Sequence, residues 1–405
     1  MKEQILDLDL KKILQTSLKN GGDYADLYAE DTESLQMIAE ERRLEKINPS
    51  LDAGVGLRVI SKGKTVYGFT NEMTEKSLLS LAGQISEAVR DSLRGGEKSD
   101  RTIRLSPVKS PIPPSIKKPP GDFPLLKKKE LVRRAEEKGW QFSPKIAQVK
   151  VLYADIVKRL VMANSLGELS EDTRVYTLFY VQSVARENGQ MQTGYHPVGG
   201  LIGLELFEEE SPEKVAEKSC EQALRMLSAR KAPVGTMPVV LSSDAGGTMI
   251  HEAVGHGLEA DLASEGLSVY HKKIGEKIAS EKITVVDDAT LPTKRGSFVF
   301  DDEGIPAERT LLIDKGVLKN YMYDRRMAMK DDTRPTGNGR RESYRFRPIC
   351  RMTNTMILPG TDDPQAIVRS TERGLFVRKM GGGQVNTVNG DFVFEVSEAY
   401  LIEKG

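Results

Sequence analysis

His251-Glu252-Ala253-Val254-Gly255-His256-Gly257-Leu258-Glu259-Ala260-Asp261 is the stretch on which the reading of this chain turns. The sequence holds only four histidines, and two of them fall here with a glutamate beside the first. Neutral imidazole is the commonest protein ligand for zinc, and an adjacent carboxylate can take the proton of a water attacking beside the metal. The spacing constrains the backbone. Residues at i and i+4 on a regular helix lie about 40° apart around the axis, whereas i and i+5 lie about 140° apart. His251 and His256 can share one metal only if the helix is bulged or locally unwound. A single-turn π-bulge returns i and i+5 to one side, and Gly255 and Gly257 ease such a distortion. Glu252 and His256 are themselves i, i+4 neighbours, so the spacing alone also fits an ordinary side-chain pair.

Working outward, Met237–Leu241 reads as a short apolar strand. Ser242-Ser243-Asp244-Ala245-Gly246-Gly247-Thr248 follows as a turn with N-cap candidates for the histidine-bearing helix. Downstream the pattern is strand-rich: Lys282–Val286, Ser297–Asp301, Arg309–Ile313, Val317–Tyr323, Met352–Leu358, Gly374–Met380 and Phe392–Ile402. Upstream, residues 2–19 carry apolar side chains at helical spacing. Strands are expected at Tyr24–Tyr28, Leu35–Ala39, Ala53–Ile60 and Val66–Phe69, then a helix over Glu75–Leu93. Prolines at 107, 111, 113, 114, 119, 120 and 124 mark an extended, exposed connection. Beyond it come a helix at Lys127–Lys138, strands at Ala147–Ile156, Arg159–Asn164, Thr173–Ala185 and Gln190–Thr193, and a helix opening at Pro212 and running to about Ala229. The expected fold is α+β. A mixed N-terminal α/β domain (1–105) is followed by a Pro/Lys-rich linker (106–126), a central antiparallel domain (127–232) and a strand-rich C-terminal domain (233–405) with one metal-binding helix.

Lys+Arg and Asp+Glu are both 59 in 405 residues, so the formal net charge is zero. That balance lacks the basic excess of a duplex-binding protein. The acidic start has no signal-peptide core, and no apolar run reaches membrane-spanning length. Cys220 and Cys350 make no disulfide framework. A cytoplasmic protein with no direct nucleic-acid partner and no membrane is expected.

The motif from His251 to Glu259 resembles the signature of the TldD/PmbA family of zinc metallopeptidases, on its TldD branch. The resemblance extends through Asp287-Asp288, Arg295-Gly296-Ser297, Asp301-Asp302-Glu303-Gly304, Pro335-Thr336-Gly337-Asn338-Gly339-Arg340-Arg341-Glu342-Ser343-Tyr344 and Arg351-Met352-Thr353-Asn354-Thr355. It continues from Phe376 to Tyr400, and Asp23–Tyr28 and Gly54-Val55-Gly56-Leu57-Arg58 also fit. It implies a zinc ion (Zn2+) held by His251 and His256, with Glu252 as the catalytic general base. The family's third ligand is a cysteine in a Gly-rich segment that this sequence does not reach. Leu401-Ile402-Glu403-Lys404-Gly405 also repeats the strand-and-turn form of Leu311–Leu318 and stops at the turn. The chain is therefore expected to be a truncated form of a longer protein.

Cys350 is not expected to substitute as a ligand, because a lone cysteine among strands is usually a small buried hydrophobe. His271 is expected to be exposed, and His196 to lie in a loop. Glu259 and Asp261 are candidate acceptors for the ligand imidazoles' second N–H, or simply solvated helix acids. Arg340 and Arg341 are substrate-binding candidates that would hold a peptide carboxylate, or else form structural ion pairs. Gly382 and Gly383 read as tight turns, or as places where a peptide backbone can approach closely. The resemblance implies hydrolysis of peptide bonds in short or unfolded peptides, by a homodimer or a heterodimer with a PmbA-type subunit. The peptide substrate would add a strand to an exposed sheet edge, a mode that unchanged affinity in edge mutants would dismiss. The alternative is a catalytically inactive regulatory or scaffolding subunit, since a catalytic zinc normally takes three protein ligands.

Overall fold

The computed structural model describes residues 5–93, 102–112 and 116–405. Pro113, Pro114 and the first residues of the expected N-terminal helix lie outside them. The chain divides into two compact units. The first comprises residues 1–231 with Pro292–Val299 and Ser343–Phe346, and the second comprises the rest.

The first unit is built on long antiparallel strands: β1 (Tyr24–Glu40), β2 (Arg43–Ser61), β3 (Lys64–Thr70), β5 (Ile146–Asn164), β6 (Glu168–Glu187) and β7 (Gln190–Gly200). A two-residue strand, β4 (Ser106–Pro107), pairs in parallel with β6. The sheet order is β3-β2-β1-β5-β6-β4, with β7 also on β6. β1 pairs with β5 from Asp26↔Asn164 to Glu40↔Lys150. One sheet therefore runs through both of the expected N-terminal and central domains. The separate short strands expected at Tyr24–Tyr28 and Leu35–Ala39 are one strand, as are Ala147–Ile156 and Arg159–Asn164. His196 lies within β7, opposite Val181, and not in a loop.

Four helices cover one face: α1 (Leu10–Ser17), α2 (Glu75–Leu93), α3 (Leu125–Phe142) and α4 (Pro212–Leu227). Asp9 caps α1 by accepting from the Lys12 N–H at 3.0 Å, and Ser211 caps α4 ahead of Pro212. Odd-numbered residues of β1 and β5 face these helices, as the two-residue strand period requires. Ala25, Leu27, Ala29, Val161 and Ala163 pack with α1 and α2. Met37, Val149, Val151 and Tyr153 pack with α3 and α4. The opposite face carries buried polar residues, among them Asp26, Glu30, Arg58, Asp172 and Arg174. Arg58 pairs with Asp26 there. The segments Pro292–Val299 and Ser343–Phe346 join this unit: Phe298 lies under the Arg174 guanidinium, and Arg345 pairs with Asp52. Gly54 admits the Tyr344 ring, because a Cβ there would lie 2.5 Å from the ring's Cζ.

The second unit holds two main sheets. β9 (Val285–Asp288) sits between β10 (Arg309–Asp314) and β14 (Thr355–Ile357), with β11 (Val317–Leu318) at the edge. β15 (Arg373–Asn386) lies between β16 (Asp391–Glu403) and the parallel β8 (Val239–Leu241). A two-stranded ladder joins β12 (Gly339–Arg340) and β13 (Ile349–Cys350). The β10–β11 hairpin turns at Lys315 and Gly316, with φ of 47° and 81°. Such a turn needs left-handed backbone at both central positions. Lys404 and Gly405 share that conformation, with φ of 60° and 79°. β16 is an edge strand, and Phe392, Val393, Val396 and Leu401 are exposed on it.

No strand forms over Ser297–Asp301, which was expected to be one. The Val299 N–H goes instead to the Asp172 carboxylate at 3.3 Å. Asp301 is fully buried, and its carboxylate accepts the N–H groups of Glu303 and Ile305 at 2.9 Å and of Gly339 at 3.0 Å. Local side-chain bonds of this kind compete with sheet formation. Val317–Tyr323 is likewise a strand only at its first two residues.

Candidate metal centre

The histidine run lies in the second unit. β8 leads into α5 (Ser243–Ile250), capped by Ser242. The Ser242 hydroxyl accepts the Ala245 N–H at 3.2 Å and donates to the Arg378 carbonyl at 2.7 Å. That pair of bonds ties the helix start to β15. From His251 to Gly255 the helix widens into a single π turn, then tightens to a 3-10 turn over His256–Leu258. The distortion demanded by the i, i+5 spacing is present, and it brings the two imidazoles to one side. Their ring centroids are 4.8 Å apart at 79°. Ligand atoms of His251, Glu252 and His256 all lie within 4.8 Å of one another.

Two glycines make this turn possible. A Cβ on Gly255 would overlap the Met352 thioether, and one on Gly257 would lie 2.7 Å from the Tyr270 ring. Tyr270 in turn donates from its hydroxyl to the Ala253 carbonyl at 3.3 Å.

His256 Nδ1 lies 3.1 Å from Glu259 Oε2. A carboxylate there accepts the Nδ1–H and leaves the Nε2 lone pair free, facing Glu252 Oε2 at 3.9 Å. Glu259 is buried, with only 1 % of its side chain exposed. The Arg351 guanidinium reaches both of its oxygens, at 3.2 and 3.4 Å. The hydrogen bond that His256 donates to Glu259 raises the His256 pKa against the opposing effect of burial. Burial lowers that of His251, and the neighbouring His256 lowers it further. A neutral His251 is ready to ligate, since a metal competes with the proton for the ring nitrogen. Two imidazoles converging on one point are donors of the kind that borderline cations such as zinc take, and the Glu252 carboxylate stands beside them. The residues present fit a metal ion.

The other candidates fall elsewhere. No hydrogen bond joins Asp261 to either histidine. Its Oδ1 is buried with no hydrogen-bond partner, and burial together with the Glu259 charge pushes its pKa up to about 6. Cys350 is fully buried, and its sulfur accepts the Asp324 N–H at 3.2 Å. It does not belong to the metal-capable group. His271 is half-buried, not exposed, and its Nδ1 lies 2.6 Å from the Ala263 carbonyl. Arg340 donates to the Met352 carbonyl at 3.3 Å. Arg341 is buried, and its side chain donates to the Asp302 carbonyl at 3.3 Å. A guanidinium held in this way is not available to a peptide carboxylate, so Arg341 serves the fold here. Gly382 faces open space, while a Cβ on Gly383 would collide with the Phe394 ring and come within 3.3 Å of Glu252 Cγ. Sequence reasoning missed Arg351 and Met352 as neighbours of the site. Both stand in a stretch that resembles the family, but 92 residues separate Arg351 from Glu259.

Comparison with known proteins identifies the family. Three family models match in order: the PmbA/TldA metallopeptidase domain 1 over residues 25–93, the central domain over 118–227 and the C-terminal domain over 234–405. The chain is 34 % identical over 389 residues to a protein of Haemophilus influenzae named as a metalloprotease TldD homolog, covering 95 % of this chain and 80 % of that one. It is 35 % identical over 401 residues to a metalloprotease of Methanocaldococcus jannaschii, covering 98 % and 87 %. The crystal structure of TldE from Thermococcus kodakarensis shares the fold, with a TM-score of 0.77 at 18 % identity over 98 % of this chain and 88 % of that one. The chain belongs to the PmbA/TldD family of metallopeptidases.

Proposed function

We propose that this chain is a zinc metallopeptidase that hydrolyses peptide bonds in short or unfolded peptides. His251 and His256 hold the metal, and Glu252 is the general base. The observation that carries this reading is the π turn, which gathers the two imidazoles and the carboxylate within 4.8 Å. When bound, the metal supplies Lewis acidity that polarises the scissile carbonyl and activates water. The chain's own residues do the rest. Glu259 keeps the His256 Nδ1 protonated and the ring fixed, so Nε2 presents its lone pair. Glu252 takes the proton of the attacking water at its carboxylate and returns it to the departing amine. Gly383, whose missing Cβ leaves room beside Glu252, keeps that carboxylate free to move. The working unit is a homodimer or a heterodimer with a PmbA-type subunit, acting in the cytoplasm. The intact His251, Glu252 and His256 favour a catalytic subunit over a scaffolding one.

Glu252→Gln tests the role of the base. It should retain the metal and lose about 10²–10⁴-fold in peptide hydrolysis, the usual yield of general-base catalysis. His251→Ala and His256→Ala should lose the metal itself. Wild-type hydrolysis by the Glu252→Gln variant would reject the assignment.

A further inference from the structure

Residues from three distant segments meet behind His256. Asp287, on β9, is 2 % exposed and accepts four hydrogen bonds. They come from the Thr353 N–H (2.9 Å) and hydroxyl (2.8 Å), the Thr355 hydroxyl (2.7 Å) and the Asn338 side-chain amide (2.7 Å). Asn338 is fully buried, and Thr336 donates to its side-chain oxygen at 2.6 Å. Asn338 then grips the backbone of Arg351 on both sides. Its side chain donates to the Arg351 carbonyl, and its own carbonyl accepts the Arg351 N–H, each at 2.9 Å. Such a network has every member satisfied and therefore fixes a single backbone geometry.

Two side chains project from this fixed backbone toward the π turn. Arg351 reaches both oxygens of Glu259. Met352 occupies the space that a side chain at Gly255 would fill. Glu259 is a buried carboxylate, and a buried charge needs a partner to hold its place. His256 alone offers one hydrogen bond, which would leave the carboxylate free to rotate about it. The contact from Arg351, one Nη1 shared between the two carboxylate oxygens, removes that freedom.

We propose that Arg351 is a positioning residue for the metal centre. It fixes the rotamer of Glu259, and through Glu259 the direction in which His256 Nε2 points. The Asp287–Asn338 network exists to present Arg351 and Met352 to the π turn. The proposal rests on the reading that His251 and His256 hold a metal.

The test is zinc affinity, measured by chelator competition on the full chain, with thermal unfolding of the metal-free proteins alongside. Outer-shell partners of metal ligands are worth about 10–100-fold in affinity. Arg351→Met should weaken zinc binding by at least about tenfold on that scale; the metal-free protein should lose some stability, since Glu259 loses its charge partner, but still unfold in one transition because the backbone network remains. Arg351→Lys should fall between, since an ammonium keeps the charge but lacks the planar, pre-oriented donor of the guanidinium. If Arg351 acts through Glu259, the double variant Glu259→Gln/Arg351→Met should bind no more weakly than Glu259→Gln alone. Wild-type affinity in Arg351→Met, or losses that add in the double variant, would overturn the proposal even if one variant folds poorly. A wild-type chain with no more zinc affinity than His251→Ala would instead bring down the underlying metal reading, and this proposal with it.

Discussion

Gly54→Ala should destabilise the first unit by expelling one aromatic ring, and the size of the loss follows from the packing. A Cβ at Gly54 would lie 2.5 Å from Cζ and 2.6 Å from Cδ2 of Tyr344. The ring cannot yield in place. It is 1 % exposed, its carbonyl accepts from the Tyr67 hydroxyl at 2.5 Å, and its hydroxyl donates to Asp52 at 3.2 Å. Removing a buried aromatic ring costs about 3–5 kcal/mol. Gly54 does not have a left-handed backbone. Alanine at such a strand position would by itself return about 0.5–1 kcal/mol. The net loss for Gly54→Ala is then about 2–4.5 kcal/mol. The Arg345–Asp52 pair, exposed on both sides, adds little. Urea unfolding of Gly54→Ala, Tyr344→Ala and the double variant checks the argument. Because both substitutions remove the same ring contact, the double variant should be no less stable than Tyr344→Ala. A Gly54→Ala protein as stable as wild type, or two losses that add, would refute the reasoning.

Further outcomes follow from both units. Asp261 has a pKa raised from 3.8 to about 6, so the folded state holds its proton more tightly than the unfolded chain. Its penalty is absent below about pH 4, grows as pH rises toward 6 and is complete above that, with a ceiling of about 3 kcal/mol. Asp261→Asn should therefore match wild type near pH 4 and exceed it at pH 8, as thermal unfolding in chelator would show; equal stability at pH 8 would contradict the burial argument. Gly382→Ala and Gly383→Ala should diverge, because the first position is open and the second meets the Phe394 ring. Gly383→Ala should lower both melting temperature and peptide hydrolysis, and Gly382→Ala neither. Leu27→Ala in the α1–α2 core should cost about 2–5 kcal/mol in urea unfolding.

Much of the local structure was legible because short-range chemistry dictates it. The span Glu75–Leu93 matches α2 residue for residue. For both histidines to face one metal the helix has to bulge or unwind, and it does so as a π turn. Ser242 caps the site helix as its side chain predicts. Pairings across long separations were not legible. The union of residues 1–105 with the central strands rests on β1 meeting β5, more than a hundred residues away, and no local pattern encodes that choice. The missing strand at Ser297–Asp301 has a similar origin. Its apolar alternation is real, but the Val299 N–H goes to the Asp172 carboxylate, and Asp301 gathers the N–H groups of Glu303 and Ile305 just beyond the stretch. At the site, the residue types in the motif identified the candidate metal-holding cluster, and its outer support escaped notice. Arg351 becomes visible only when β9, β12 and β14 assemble around Asp287.

The most direct test of the central claim is anomalous X-ray diffraction at the zinc edge from crystals of the zinc-loaded chain. The account predicts one strong peak about 2.0–2.1 Å from a ring nitrogen of both His251 and His256. No peak there, or a zinc bound elsewhere with the two imidazoles unoccupied, would contradict it.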